Sequence, residues 1–144
     1  MSLLSDNPKL GHITTFGGHP VIAAAALATL KEITESNLIA DTLEKEQLIR
    51  SLLIHPLITE IRGRGLMLAA LTTTVEITSE VILKCQDRGL ILFLLLFESK
   101  AIRITPPLTI SKEEIREGCA ILLEVLKEIN LTILWRRGCA HDHA

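Results

Sequence analysis

Leu90-Ile-Leu-Phe-Leu-Leu-Leu-Phe-Glu-Ser-Lys-Ala-Ile-Arg-Ile-Thr-Pro-Pro107 decides the architecture. Leu90 to Phe97 is an unbroken apolar run of eight residues. It is too short for a membrane-crossing helix, which needs about 20 apolar residues, and Leu90 to Leu96 reads as a strand. Glu98-Ser99-Lys100 is a polar break short enough for a hairpin turn. Ala101 to Thr105 then reads as a second strand, which Pro106-Pro107 stops because proline cannot donate to a ladder. Side chains alternate across a strand, so Ile102 and Ile104 share one face and Arg103 and Thr105 the other. Ser111-Lys112-Glu113-Glu114 follows as a capping box, with Ser at N-cap and Glu at N3. Ile115, Cys119, Leu122, Leu123, Leu126 and Ile129 then form one apolar helical face. Leu131 to Ala144 does not continue that pattern cleanly and reads as a tail.

Upstream, Ile58 to Leu71 reads as a strand, with Gly63 and Gly65 marking a bulge or a close backbone approach. A helix from about Ser79 to Arg88 carries Val81, Ile82 and Cys85 at helical spacing, with Gly89 at its C-terminal cap. Ser36 and Asn37 are good N-caps for a helix that runs to about Leu53. His55-Pro56 ends it, since proline pushes the preceding residue out of the helical region. The first eleven residues read as a lead-in loop. Thr14-Thr-Phe-Gly-Gly-His-Pro20 is a turn feeding an Ala-rich helix, with Pro20 suited to the first helical position. The order helix, helix, strand, helix, strand, strand, helix is α+β. The economical arrangement is a three-stranded, largely antiparallel sheet with helices on one face.

The chain has 144 residues, 48% of them hydrophobic and 22% charged, with a net charge of −2. That composition supports a packed core and argues against disorder. A nucleic-acid-binding domain would be strongly basic, and 3% aromatics leave little to stack bases on. No membrane span and no secretory signal are readable. Three cysteines at wide spacing fit a reducing cytoplasm rather than a disulfide framework. Mean hydropathy is +0.38, high for a free-standing domain. An oligomer interface or a further domain would absorb the apolar excess.

Four constellations have residue types suited to chemistry, each with a plain alternative. The Thr14-Thr15-Phe16-Gly17-Gly18 turn before a helix suits an anion, because backbone N–H groups and a hydroxyl converge there. The plain alternative is an ordinary capped turn. Arg103 is able to clamp a carboxylate through two parallel N–H···O bonds, or else is a solvated strand residue. Arg62-Gly63-Arg64-Gly65 is an anion site or a solvated pair on structural glycines. Cys139-Ala140-His141-Asp142-His143 has metal-ligand residue types but lies at an untethered end, so no metal site is expected. No nucleophile–base pairing is readable, so no catalytic residue is assigned.

Taken together, these pieces resemble the class III aminotransferases. Thr14 to Pro20 with its Ala-rich helix is similar to that family's Thr-Phe-Gly-Gly-Asn-Pro segment, with His19 where asparagine is usual. Glu60 to Leu68 resembles the Arg-Gly-x-Gly-Leu strand, and Ile102 to Leu108 the Arg-x-x-Pro-Pro-Leu stretch. The motifs fall in the family's order over roughly residues 10 to 129, and look most like the acetylornithine, ornithine and 4-aminobutyrate type. The resemblance implies the C-terminal portion of a fold type I, pyridoxal-phosphate-dependent homodimer. Residues 1–36 would be the end of a large domain, 37–130 a small C-terminal domain, and 131–144 a tail that need not be native.

The resemblance also implies that Thr15, with Thr14, contacts the phosphate of the cofactor belonging to the neighbouring subunit and that Arg103 binds a substrate carboxylate. The substrates implied are amino acids and 2-oxo acids. The family's cofactor-anchoring lysine lies a few tens of residues before the turn, and only Lys9 precedes it here. The chain by itself is therefore expected to be inactive, to lack its large domain, and to self-associate. The competing expectation is a non-enzymatic amino-acid-binding or dimerisation module using the Arg103 face.

Overall fold

The computed structural model describes residues 14–141, with side chains through 134. The expected lead-in loop, Lys9, Asp142 and His143 lie outside the described residues. The chain divides into two compact units, Met1–Ile39 and Ala40–Ala144.

In the first unit, the turn after Thr14 closes when the His19 N–H donates to the Phe16 carbonyl at 3.1 Å. Helix α1 spans Pro20–Glu35, with Pro at its start and His19 as N-cap. The His19 Nδ1 accepts the Val21 N–H at 3.3 Å, so imidazole replaces the usual Ser or Asp oxygen. The helix buries none of its residues. It ends at Ser36, whose Oγ accepts the Leu38 N–H at 3.4 Å and opens the next helix.

Helix α2 spans Leu38–Leu52 and leads into strand β1, Ile58–Arg64, and strand β2, Met67–Thr72. Helix α3 is Val75–Asp87, followed by β3, Phe93–Leu95, β4, Glu98–Ile104, and α4, Lys112–His141. The sheet has four strands in the order β1-β2-β4-β3, and every pair is antiparallel. The expected three-stranded sheet is therefore corrected. Ile58 to Leu71 is not one strand but a hairpin turning at Gly65-Leu66, with Arg64 opposite Met67. Gly63 is the close approach: its φ is +111°, and a Cβ there would collide with the Met67 carbonyl oxygen.

The second hairpin turns at Leu96-Phe97, not at Glu98-Ser99-Lys100, which belong to β4. Helix α3 begins four residues earlier than Ser79 because Thr74 caps it, its side chain accepting the Ile77 N–H at 3.4 Å. Its end is a Schellman motif: Leu90 N–H donates to Cys85 and Gly89 N–H to Gln86. The Ser111 capping box forms in both directions, at 3.1 and 2.8 Å. Helix α4 runs on to His141, so residues expected as a tail extend it.

Helices cover one sheet face. Leu68, Ala70 and Ile102 are buried against Ile49 and Leu53 of α2, Val81 and Cys85 of α3, and Ile115, Leu122, Leu126 and Ile129 of α4. Those α4 positions recur at i, i+7, i+11 and i+14, the stripe a core-facing helix needs. Edge strand β1 is capped by α2. Arg50 donates to the Ile61 and Gly63 carbonyls at 2.6 and 2.8 Å and to Glu46 at 2.8 Å. Glu46 in turn accepts the Gly65 N–H at 2.5 Å. This pairing occupies edge groups that would otherwise template another strand. The buried Lys45 ammonium donates to the Leu108 carbonyl at 2.7 Å, tying α2 to the Pro106-Pro107 loop.

His55 gives this unit a pH dependence. Its Nδ1 accepts the Leu57 N–H at 3.2 Å, and burial, then the nearby Lys127 charge, hold its pKa below the ordinary value. The unfolded chain therefore binds the proton more readily. The contribution of neutral His55 is complete above about pH 6.5 and is lost as pH falls through the folded pKa. Urea midpoints measured from pH 7.5 to 5 are expected to fall, with a shallower slope in His55→Gln.

Candidate functional site

Arg103 sits in the middle of β4, on the sheet face opposite the helices. Its neighbours Ile102 and Ile104 turn toward the core, and Ile102 is fully buried. Arg103 is exposed, and its guanidinium carbon lies 5.0 Å from the centroid of the Phe93 ring, directly across the β3–β4 ladder. Stacking on an aromatic face steadies a long side chain without consuming its N–H donors. Among the described residues Arg103 enters no salt bridge, unlike Arg50, Arg62, Arg88 and Arg116. Its fork is therefore available to an external carboxylate. Beside it, Thr105, Ile104 and Leu92 border a largely aliphatic cavity of about 270 Å³, closed by Ile49, Ile115 and Leu122.

Arg62 lies on the same face as Arg103, since both stand opposite Ala69. It is paired with Glu60 at 2.8 Å, and this pairing holds the Glu60 carboxyl below its usual range. The sheet thus brings together two arginines that sequence spacing treats as unrelated motifs. Arg64 is placed by the hairpin end, opposite Met67.

Thr14 and Thr15 belong to the other unit, at the head of α1, and both are exposed. The Thr14 hydroxyl packs on Gly17 so closely that any Cβ there would displace it. Gly17 is thus required for room, and the Thr14 and Thr15 side chains and the head of α1 are exposed. That donor set suits a phosphate, which takes uncharged N–H and O–H donors at a helix start. His19 serves the helix as its cap and needs no ligand to explain it.

Cys85 and Cys119 are buried, and burial pushes both thiols up to about 11. A nucleophilic cysteine needs the opposite shift, so neither is equipped for attack. Among the described residues no group of three His, Cys, Asp or Glu side chains is placed to hold a metal. The Cys139 to His143 cluster lies outside the described side chains. Among the described residues no helix is long and apolar enough to cross a membrane.

Sequence reasoning missed the Phe93 platform and the Arg62–Ala69–Arg103 row. Both depend on strand register, and only the alternation of Arg103 with Ile102 and Ile104 hinted at the face it occupies.

Comparison with known proteins covers most of the chain. The family model described as aminotransferase class-III matches residues 3–126. The acetylornithine aminotransferase of Caldanaerobacter subterraneus subsp. tengcongensis is 36% identical over 123 residues, which are 82% of this chain and 30% of that protein. The putrescine aminotransferase of Pectobacterium atrosepticum is 38% identical over 138 residues, 92% of this chain and 29% of its own length. Among solved structures, the ornithine aminotransferase of Toxoplasma gondii superposes with a TM-score of 0.76 at 25% identity, over 92% of this chain and 32% of that one. That protein was crystallised with partial occupancy of PLP at its active site. The chain spans about 30% of the length of the curated relatives it matches. The ordered motifs, the α+β fold and these matches agree: the chain belongs to the class III aminotransferase family.

Proposed function

We propose that this chain is the C-terminal portion of a cytoplasmic, homodimeric, pyridoxal-phosphate-dependent aminotransferase. The whole enzyme moves an amino group between an amino acid or ω-amino acid and a 2-oxo acid. Residues 1–36 finish the large domain, residues 37–130 form the small domain, and 131–144 are a tail. The observation that carries this reading is the free fork of Arg103, held on Phe93 and followed by the family's Pro-Pro-Leu stretch. It is a carboxylate receptor in the strand where the family's motif places one.

The bound cofactor supplies the electron sink for amino transfer. The chain's own part is binding and orientation. Thr15, with Thr14 beside it, would hold the cofactor phosphate through hydroxyl donors, and the head of α1 would add its positive end. Arg103 fixes a substrate carboxylate in a defined plane through two N–H donors. Such fixing raises the fraction of bound substrate poised to react. None of the lysines here matches the family's anchoring position, so the chain alone binds without turning over.

The phosphate reading is tested by Thr15→Ala in the whole enzyme. A hydrogen bond to a charged group is worth about 1.5–3 kcal/mol, so cofactor dissociation is expected to rise roughly 10- to 100-fold. Unchanged cofactor affinity removes Thr15 from the phosphate site.

A further inference from the structure

We infer that the cavity between α2, α4 and the end of β4 is a binding site for the aliphatic chain of a small molecule, with room for about ten non-hydrogen atoms. It does not rest on the reading of Arg103 as a carboxylate receptor.

The cavity has a floor of its own. Ile49 and Leu53 of α2 and Ile115, Cys119 and Leu122 of α4 line it, and all five are more than nine-tenths buried. Gly118 lines the same space, and a Cβ there would stand 3.6 Å from the Leu90 side chain. The volume is about 270 Å³. A cavity of about 150 Å³ lined by aliphatic and aromatic side chains takes up benzene, so on that scale about ten non-hydrogen atoms fit here.

The floor offers no polar group to recognise. Among its five side chains only Cys119 carries a heteroatom, and a thiol is a weak donor. No described side chain leaves a buried nitrogen or oxygen without a hydrogen bond. The charged groups at the mouth have their own contacts: Glu114 accepts the Ser111 N–H and Oγ, and Arg103 stacks on Phe93. Water on this floor lacks the two to four polar partners it needs. Methylenes that displace it gain about fourfold in affinity each. A flat apolar face would go on gaining with every added carbon, whereas a floored cavity stops when it is full.

The test is alkylation of the 144-residue chain carrying Cys139→Ser by N-ethylmaleimide, in the presence of straight-chain alcohols from pentanol to dodecanol, read by peptide mass spectrometry. Cys119 lines the cavity and Cys85 does not. Burial raises both thiols to about 11, so a difference in their rates reports access. Without alcohol Cys119 is expected to react faster than Cys85, and alcohol is expected to slow Cys119 alone. The protecting concentration is expected to fall about fourfold per carbon and to level off near nonanol or decanol. Gly118→Leu, a good helix former that fills the space, is expected to leave Cys119 as slow as Cys85 with or without alcohol. Gly118→Ala is expected to shorten the plateau by about one carbon, and Arg103→Gln to leave it unchanged. Equal protection of both cysteines, a Cys119 no faster than Cys85 without alcohol, an unbroken trend to dodecanol, or protection that survives Gly118→Leu would each overturn the inference. So would protection in this chain that is lost in the whole enzyme, because another part of the protein would then fill the cavity.

Discussion

Replacing Gly63 by alanine is expected to lower the unfolding free energy by about 3 kcal/mol. Two effects act together. The backbone at Gly63 has φ of +111°, a region L-residues rarely enter. The new methyl group also points at the Met67 carbonyl, across a hairpin held by the Arg64–Met67 pair. Relief requires the strands to part, which pulls the Gly63 carbonyl away from Arg50 and loosens the clamp from α2. Gly65→Ala is the control. Its φ is +60°, and the nearest atoms to a Cβ are those of Thr42 at 3.5 and 3.6 Å, an ordinary contact. It should cost only the left-handed penalty, about 1–2 kcal/mol. Urea denaturation of the two variants decides. Equal losses would mean that the close approach at Gly63 is not what shapes this hairpin.

Arg103→Ala in the whole enzyme is expected to raise KM for carboxylate substrates roughly 10- to 100-fold, matching the 1.5–3 kcal/mol of a charge-assisted contact. Stability should barely move, because Arg103 is exposed and makes no salt bridge among the described residues. Arg103→Lys keeps the charge but loses the planar fork and the flat stacking surface, so only partial recovery is expected. Steady-state kinetics with a carboxylate donor, and with an amine donor lacking that group, separates clamping from general damage. A loss shared equally by both donors would show that Arg103 is not the carboxylate receptor.

The architecture was legible where local chemistry is self-contained. Ser111 and Glu114 announce a helix start, Pro106-Pro107 stops a strand, and the alternation through Ile102, Arg103 and Ile104 assigns faces correctly. The two hairpin turns were misread for one physical reason. Each places apolar residues at the tip, Leu66 in one and Leu96-Phe97 in the other. Leu66 is buried although it lies in a turn, while Phe97 is fully exposed. Polarity therefore pointed to Glu98-Ser99-Lys100, which instead continue β4. The same misreading merged β1 and β2 and lost a strand.

The early start of α3 was missed because Thr74, rather than Ser79, supplies the cap. Thr15, Arg62 and Arg103 were legible as candidates, since each stands in a recognisable local pattern, but the placing of Arg62 beside Arg103 was not. That Ala69 brings Arg62 and Arg103 into one row, and that Phe93 carries Arg103, follows from register. Register is set by long-range pairing that no local window contains.

The proposed division of labour has this polypeptide hold anionic groups and leaves amino transfer to the whole enzyme. The most direct measurement mixes the 144-residue chain with pyridoxal phosphate, an amino-acid donor and a 2-oxo acid, and follows the new amino acid by mass spectrometry. The account predicts the same rate as pyridoxal phosphate alone. Several turnovers per chain above that background would contradict it.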